Sequence, residues 1–310
     1  MADSLTGFTA PGAPPSGPKL ASTVMLLRDL PSGGIEVFLV KRSGKSSFMG
    51  GAYVFPGGKV DADDGSAEIE AAVLPETLTQ AAARLGDRRA ALSLGVAAVR
   101  EVLEEAGVLL GRGPGGQAPE PAAIRAAREA LNDRRDRFSE LVERAAWELD
   151  LSLLEPWSHW ITPSREPKRF DTRFYVARAP AEQQASSDRF ETTDAVWLSP
   201  SVALERHAAL EIFLPPPTLV NLLELAPHRS VDAVMSAARV KPIAPILPKL
   251  GMDGPHLAIL LPWAPEYAST EGEGEAAADH PARGDIDRVV LEGERWIARS
   301  HGVGTATGIR

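Results

Sequence analysis

Residues 100–108 read REVLEEAGV. Glu101, Glu104 and Glu105 stand at positions i, i+3 and i+4, so a helix of about 3.6 residues per turn places them on one face. Like charges at this spacing repel each other, and no lysine lies between them. A divalent cation would remove the repulsion, because Mg²⁺ takes carboxylate oxygens as ligands. Arg100, four residues before Glu104, can brace that carboxylate.

The neighbouring residues predict the helix that carries this acidic face. Apolar side chains recur at spacings of three and four over residues 90–106. Gly107 suits the left-handed conformation in which many helices end. Acidic helix faces are common on protein surfaces, so the glutamates alone do not identify a metal site.

The composition is that of an ordinary globular protein. The chain has 310 residues, 44% hydrophobic and 24% charged, which is enough for one large domain or two small ones. The formal net charge of −9 argues against a nucleic-acid scaffold, so we expect no nucleic-acid partner. Because the chain has no cysteine, disulfides, thiolate nucleophiles and cysteine-ligated metal sites are excluded.

No segment of the chain resembles a targeting signal. Residues 1–18 are rich in proline and glycine, which predicts a disordered leader rather than a signal peptide. Apolar runs such as 257–263 are much shorter than the ~20 residues that span a bilayer, so we expect no membrane association. We therefore expect a cytoplasmic protein.

The apolar pattern predicts a mixed sheet packed against helices. Strands are predicted at residues 21–27, 35–40, 52–55, 108–110, 157–162, 169–178 and 193–198. The first two are predicted to form a hairpin, and 157–162 is predicted to pair with 169–178 through a proline-containing turn at 163–167. Helices are predicted at residues 68–89 with breaks at Pro75 and Gly86, and at 90–106, 121–134, 137–149, 218–225 and 231–239, with a further helix capped by Ser199. Residues 266–286 are acidic and rich in glycine and alanine, which predicts a flexible linker before a C-terminal strand and tail at 287–310.

A second stretch, FPGGKV at residues 55–60, completes a known pattern. Together with residues 100–108 it resembles the two halves of the box that defines the Nudix hydrolase superfamily. Gly58 fits the first glycine of the box, and Asp64 stands at the first acid, where glutamate is usual. The 36 positions from Asp64 to Arg100 replace a family spacing of 8, so 28 extra residues interrupt the box.

An insertion at this point is typical of one Nudix group, the insertion-bearing acyl-CoA diphosphatases. Three further stretches resemble that group: WSHWITP at 157–163, KRFDT at 168–172 and LPPP at 214–217. The resemblance implies an α+β Nudix fold, a mixed sheet between helical layers, over residues 19–265. It also implies a helical insertion at 65–92, which we predict to cap the cleft.

The resemblance implies metal-dependent hydrolysis of a diphosphate. Glu101, Glu104, Glu105 and the carbonyl of Gly58 are the expected ligands of Mg²⁺ or Mn²⁺, and Arg100 completes the catalytic set. The general base is open between Glu101 and an acid from a later loop, for which Glu191 is the candidate. A later-loop acid could equally be an exposed strand-edge residue.

A pattern upstream of the box bears on the substrate. Arg42, Ser43, Gly51 and the stretch 55–58 match a motif of coenzyme A-cleaving Nudix enzymes, although Ser47 replaces its second arginine. We therefore expect coenzyme A or acyl-CoA as the substrate.

The candidate substrate-binding cations are Arg42, Lys45, Lys59 and Arg169, and Asp171 is a further candidate. Arg42 and Lys45 could instead be exposed loop cations, and Arg169 and Asp171 could form an ion contact between strands. The three aromatic residues Trp160, Phe170 and Phe174 are predicted to belong to the core, and a zinc role for His159 is not expected.

Other functions remain open at this point. The same chemistry could act on NADH, ADP-ribose or dinucleoside polyphosphates, and a non-catalytic Nudix module could sense a nucleotide. We expect a small nucleotide-type molecule as the partner, and a homodimer is possible.

Overall fold

The computed structural model describes residues 17–43, 50–187 and 192–300. Its strands are β1 (Lys19–Asp29), β2 (Ile35–Arg42), β3 (Tyr53–Val54), β4 (Gly57–Lys59), β5 (Gly111–Arg112), β6 (Glu148–Leu149), β7 (Glu155–Ile161), β8 (Phe170–Arg178), β9 (Thr192–Leu198), β10 (Pro245–Ile246), β11 (Lys249–Asp253), β12 (His256–Leu260), β13 (Arg288–Glu292) and β14 (Arg295–Arg299). Its α-helices are α1 (Ala67–Ala72), α2 (Pro75–Leu85), α3 (Arg88–Ala106), α4 (Pro121–Asn132), α5 (Phe138–Ala145), α6 (Pro200–Ala208), α7 (Pro216–Leu225) and α8 (Val231–Val240).

Strand β1 lies at the centre of the larger sheet. It runs parallel to β8 from Lys19 to Leu27 and antiparallel to both β2 and β4. The main path of the sheet is β10-β7-β8-β1-β2-β3, and β9 pairs with β2. The two predicted strand pairs, β1–β2 and β7–β8, are confirmed as antiparallel pairs.

Alternate side chains of β1 enter two hydrophobic layers, as the period of a strand requires. Val24 and Leu26 pack in the cluster that contains the apolar residues of α3. Met25 and Leu27 pack in the cluster that contains residues of α7 and α8. The sheet is therefore mixed and lies between two helical layers, which confirms the predicted α+β class.

Helix α3 carries the acidic face and has well-defined ends. Asp87 caps its first turn by accepting a hydrogen bond from the N–H of Ala90 at 3.0 Å. Gly107 ends it with φ of +68°, a conformation that glycine adopts without steric cost. The predicted helix and its glycine stop are both confirmed.

The segment between the two halves of the box folds into two helices, α1 and α2, before α3 begins. Pro75 stands at the first turn of α2 and Gly86 ends it at φ of +77°, so both predicted breaks are real. Ile69, Val73 and Leu78 pack in the same hydrophobic cluster as α3. The insertion is thus part of the core on that side of the sheet.

The strand predicted at 108–110 is wrong. These residues are buried, but they pair with no strand among the described residues. The side chain of Gln183 replaces a strand partner: its Oε1 accepts from the N–H of Leu109 at 2.8 Å, and its Nε2 donates to the Leu109 carbonyl at 3.0 Å. Backbone polar groups that are buried must be satisfied, and a side-chain amide does so here.

A second sheet follows the matched stretches and was not foreseen. Strands β11 to β14 form an antiparallel sheet in sequence order, in which Ala258 of β12 pairs with Val290 of β13. The predicted domain boundary at 265 would divide this sheet and is therefore wrong. Ile259, Val289 and Trp296 join the hydrophobic cluster that contains residues of β1, α7 and α8, so the C-terminal sheet packs against this side of the larger sheet.

Residues 266–286, predicted as a flexible linker, contact the rest of the domain. The N–H of Glu273 donates to Ser164 Oγ at 3.0 Å, and the indole of Trp263 donates to the carbonyl of Ile286 at 2.7 Å. The segment packs against the domain rather than separating the last hairpin from it. Within the described ranges, no helix has both the length and the apolar character that crossing a bilayer requires.

Candidate active site

The acidic face of α3 meets the glycine turn at β4. The N–H of Gly57 donates to Glu105 Oε2 at 3.1 Å. A Cβ placed on Gly58 would lie 2.4 Å from Glu101 Oε1, closer than real Cβ contacts allow. A side chain at Gly58 would therefore have to displace the carboxylate of Glu101. The two halves of the box, far apart in sequence, are in direct contact.

Arg100 connects four groups of this site. Its Nε and Nη2 donate to the two carboxylate oxygens of Asp64 at 2.8 and 2.9 Å. Its Nη1 donates to Glu101 at 2.8 Å and to Glu104 at 3.0 Å, as the spacing predicted for Glu104. Its Nη2 also donates to the carbonyl of Lys59 at 2.9 Å. One guanidinium thus fixes the glycine turn relative to the acidic face.

Burial sets the protonation behaviour of these groups. Burial raises the pKa of Glu101 to about 8, although the adjacent Arg100 opposes the shift. Burial likewise raises the pKa of Asp64, against the stabilising hydrogen bond and charge of Arg100. The pKa of Arg100 moves up: burial alone would lower it, but the hydrogen bond to Asp64 and the charges of Glu101, Asp64 and Glu104 raise it. Arg100 therefore stays charged.

The donor set suits a hard divalent cation. Three carboxylates project from one rigid helix beside the backbone of Gly58, and oxygen ligands of this kind are those that Mg²⁺ and Mn²⁺ prefer. In the described residues no three acidic or histidine side chains converge as a ready chelate. The reason is visible in the contacts, since Glu101 and Glu104 turn to Arg100 and Glu105 accepts from Gly57. Reorientation of side chains would precede metal binding.

A large cleft begins at this site and extends across the sheet. Its volume is about 1070 Å³, slightly above the roughly 300–1,000 Å³ that is usual for small-molecule sites. Two rows of paired residues form its floor: Trp160, Thr172, Ala21 and Lys59, and beside them Phe174, Thr23 and Gly57. Every residue of both rows lines the cleft, so the cleft follows one face of the sheet from β4 to β7.

Of the four predicted substrate-binding cations, the structure brings two to the cleft. Arg42 and Lys59 line it. Lys45 lies outside the described residues. Arg169 is buried and is not among the cleft-lining residues, since its guanidinium donates to the Thr162 carbonyl at 3.2 Å and to Glu273 at 3.1 Å. The structure thus gives Arg169 a structural partner away from the cleft.

Several cations of the cleft were missed in the sequence. Arg134, Arg135 and Arg137, in the loop between α4 and α5, line the cleft. The loop is anchored beside β4, because Ser139 donates through its N–H and Oγ to the carboxylate of Asp63 at 2.8 and 2.7 Å. The sequence signal for this cationic loop was three arginines within four positions. It was missed because the predicted helices at 121–134 and 137–149 divided these arginines between them.

The predicted aromatic core residues have two roles. Trp160 and Phe174 are almost fully buried, yet both line the cleft, and the partly buried Phe170 does so too. His159 bonds to Asp171 at 2.6 Å. The absence of a zinc role for this histidine stays a prediction, and the structure gives the ring a carboxylate partner.

Three further predictions can be located. Asp171 also bonds to Arg173 of the same strand at 2.7 Å, so it does not form the ion contact with Arg169 that was the alternative to substrate binding. Glu191, the second candidate base, lies outside the described residues. No residue of 65–92 lines the cleft, so the insertion does not form the predicted cap.

Comparison with known proteins agrees with this geometry. Residues 88–225 match the family model described as the NUDT19 Nudix domain. The chain is 31% identical over 240 residues to the acyl-coenzyme A diphosphatase NUDT19 of Homo sapiens, a match that covers 66% of this chain and 64% of the human protein. It is 31% identical over 239 residues to the protein of the same name from Gallus gallus, covering 64% of this chain and 62% of that protein.

A solved structure is also similar. A NUDIX hydrolase from Alicyclobacillus acidocaldarius superimposes with a TM-score of 0.58 at 27% identity, covering 71% of this chain and 96% of that one. The chain spans slightly less than two thirds of the length of the curated relatives it matches. The family match ends at residue 225, before the C-terminal sheet begins.

Proposed function

Because the chain belongs to the Nudix hydrolase superfamily, we propose that it hydrolyses the diphosphate of coenzyme A or an acyl-CoA with Mg²⁺ or Mn²⁺. The products would be 3′,5′-ADP and phosphopantetheine or its acyl derivative. The observation that carries the proposal is the contact between the three-carboxylate face of α3 and the glycine turn, at one end of a large cleft.

The metal would be held by Glu101, Glu104, Glu105 and the carbonyl of Gly58. When bound, it supplies neutralisation of the diphosphate charge and activation of the attacking water. Arg100 keeps Glu101 and Glu104 in place through the two hydrogen bonds of Nη1. Without this bracing, the adjacent carboxylates would separate because of their repulsion.

The chain also supplies a proton acceptor. In the reaction, the water oxygen bonds to one phosphorus, the bridging P–O bond breaks, and the water proton moves to a base. Glu101 lies against the glycine turn, beside the other carboxylates of α3, where a carboxylate next to the attacking water can take its proton. We therefore favour Glu101 as the base.

The remaining cations would bind the substrate's phosphates. Lys59 and the arginine loop at 134–137 lie at the end of the cleft where the carboxylates are, and Arg42 lines the cleft as well. Arginine binds phosphate through two parallel N–H groups, which fixes orientation as well as charge. This end of the cleft suits the nucleotide half of the molecule.

A substrate panel tests the proposal. Purified protein is incubated with coenzyme A, an acyl-CoA, NADH, ADP-ribose and a dinucleoside polyphosphate, each with Mg²⁺ and with Mn²⁺, and products are identified by mass. We expect phosphopantetheine or acyl-phosphopantetheine from the first two. Release of product from NADH or ADP-ribose alone would contradict coenzyme A as the substrate and identify the cleaved compound instead.

Two matched variants test the site itself. Glu104→Gln should lower kcat on the order of 100-fold or more, because metal ligation supports several kcal/mol of transition-state stabilisation. Glu143→Gln, an exposed residue of α5 outside the cleft, should keep the wild-type rate. Equal rates in wild type and Glu104→Gln would contradict the metal site.

A further inference from the structure

We infer that the C-terminal sheet, β11 to β14, closes the far end of the cleft as a pocket for the acyl chain of an acyl-CoA, and thereby gives preference over free coenzyme A. The inference rests on the proposed function. It concerns a part of the chain beyond residue 225, where the family match ends. Its basis is the order of strands across the cleft, a set of apolar lining residues and a buried donor.

Counting strands across the sheet gives the distance from the carboxylate end of the cleft. From Lys59 on β4 the floor crosses Ala21 on β1 and Thr172 on β8 and reaches Trp160 on β7. Three strand spacings of about 4.8 Å place Trp160 roughly 14 Å from the glycine strand. The next strand outward is β10, where Ile246 pairs with Trp160, and the chain then enters the C-terminal sheet.

The neutral arm of coenzyme A has a matching length. About twelve bonds join its phosphate oxygen to its sulfur, which is equivalent to about four peptide residues, or roughly 13 Å when extended. A diphosphate bound beside Gly58 would therefore place the sulfur close to Trp160. Whatever is attached to that sulfur continues toward the C-terminal sheet.

Apolar side chains line the cleft from the glycine turn to that end. We call Phe55, Trp160, Phe174, Pro248 and Ile259 the apolar wall, and all five line the cleft. Four of them belong to one hydrophobic cluster, the exception being Pro248. Pro248 and Ile259 come from the C-terminal part of the chain, Ile259 from the central strand pair of its sheet. An acyl chain on this wall would leave water for an apolar surface, which is favourable in proportion to the area buried.

Arginine is concentrated on the carboxylate side of the cleft. The arginines of the loop at 134–137 lie there, anchored through Asp63, whereas the charged lining residues between β7 and β8 are Glu166 and Lys168. The arginine end therefore favours the charged nucleotide, and the neutral, acylated arm would lie along the apolar wall.

The wall also contains a buried hydrogen-bond donor. The indole Nε1–H of Trp160 is inaccessible to solvent and has no acceptor among the described residues. Leaving a buried donor unpaired is costly, so such groups in folded proteins usually have a partner. The amide and thioester carbonyls of an acylated arm are neutral acceptors of the required kind.

The test compares acyl-CoA with coenzyme A. The ratio of kcat/KM for an acyl-CoA to kcat/KM for coenzyme A is measured in wild type, Ile259→Ala and Ile246→Ala. Ile246 is a matched control, because it is equally buried in the same cluster but does not line the cleft. Ile259→Ala should lower the ratio about 10-fold, the effect of lost methylene contacts in an apolar pocket. Ile246→Ala should leave it unchanged.

Trp160→Phe supplies a second variant that keeps an aromatic ring. It should raise KM for acyl-CoA about 3- to 10-fold through loss of one hydrogen bond, while the inhibition constant of 3′,5′-ADP, which lacks the arm, stays constant. If Ile259→Ala folds poorly, both substrates lose turnover in proportion to the folded fraction. The ratio of acyl-CoA to coenzyme A turnover then still measures the preference.

The outcomes are distinguishable. A ratio that is unchanged in Ile259→Ala, or a wild type without preference for acyl-CoA, overturns the acyl pocket while coenzyme A turnover still supports the proposed function. A wild type that releases no phosphopantetheine from either substrate contradicts the proposed function, and the acyl pocket with it. Equal loss in Ile259→Ala and Ile246→Ala would mean that the sheet acts only through stability, which also overturns the inference.

Discussion

Replacing Asp64 with asparagine should destabilise the protein by about 3 kcal/mol. Asp64 is fully buried, and its carboxylate receives two hydrogen bonds from Arg100, whose side chain is 6% exposed. Removing one member of a buried ion pair typically costs about 3–5 kcal/mol, because the other charge stays buried without compensation. The lower end applies here, since asparagine keeps one acceptor oxygen for Arg100.

An exposed ion pair of the same chain gives the scale for comparison. Glu70 pairs with Arg88 at 2.7 Å, but the two side chains are 44% and 54% exposed. Such pairs contribute about 0–1 kcal/mol, so Glu70→Gln should change stability by less than that. Asp64 and Glu70 lie close together in the chain, and each pairs with an arginine. Comparing the two substitutions therefore tests how much burial adds to such a pair.

Urea unfolding measures both changes as shifts in midpoint at constant slope. Asp64→Asn should also lower kcat under native conditions, because Arg100 loses the partner that orients it toward Glu101 and Glu104. A loss of stability no greater than that of Glu70→Gln would show that Asp64 does not hold Arg100. The account of Arg100 as the connection between the two halves of the box would then be wrong.

Three further predictions concern the turn, the cations and pH. Gly58→Ala should abolish turnover with little loss of stability, because its Cβ would displace Glu101; wild-type kcat would contradict this contact. Arg134→Gln should raise KM for coenzyme A about 3- to 10-fold, because an arginine that binds phosphate is lost. Arg125→Gln, an exposed residue outside the cleft, should leave KM unchanged. A KM for Arg134→Gln equal to that of the wild type would show that Arg134 does not bind the substrate. Burial lowers the pKa of His207 below 6.5, so its contribution to stability is complete above pH 6.5 and is lost as pH falls through the folded-state pKa. Urea midpoints of wild type and His207→Gln between pH 5 and 7.5 should converge at low pH, and parallel curves would contradict this.

The features that could be predicted were those with local causes. The acidic face of α3 followed from helical periodicity, and its end from Gly107. The pairing of β7 with β8 followed from two apolar runs around a proline-rich turn. The contact of Gly58 with Glu101 could be expected only through the resemblance to a known box, because no local pattern relates residues 43 positions apart.

The features that were missed depend on distant partners. Residues 108–110 have the composition of a strand, but a glutamine side chain takes the place of a neighbouring strand. The arginine at 134 adopts φ of +55°, which ends α4 earlier than propensity predicts and turns the loop to the cleft. Residues 266–286 have the composition of a linker, yet Glu273 is fixed by contacts to residues more than 100 positions away.

The interrupted box is physically reasonable because its two halves are joined by contacts rather than by sequence. Lengthening the segment between Asp64 and Arg100 from 8 to 36 positions raises the entropic cost of closing the loop by only about 1.3 kcal/mol, at roughly 0.6 kcal/mol per doubling of length. The buried pair of Asp64 with Arg100 and the burial of Ile69 and Leu78 oppose that cost. The insertion therefore packs in the core with α3 and does not line the cleft. We propose that substrate choice depends instead on elements that line the cleft, among them the arginine loop and the C-terminal sheet.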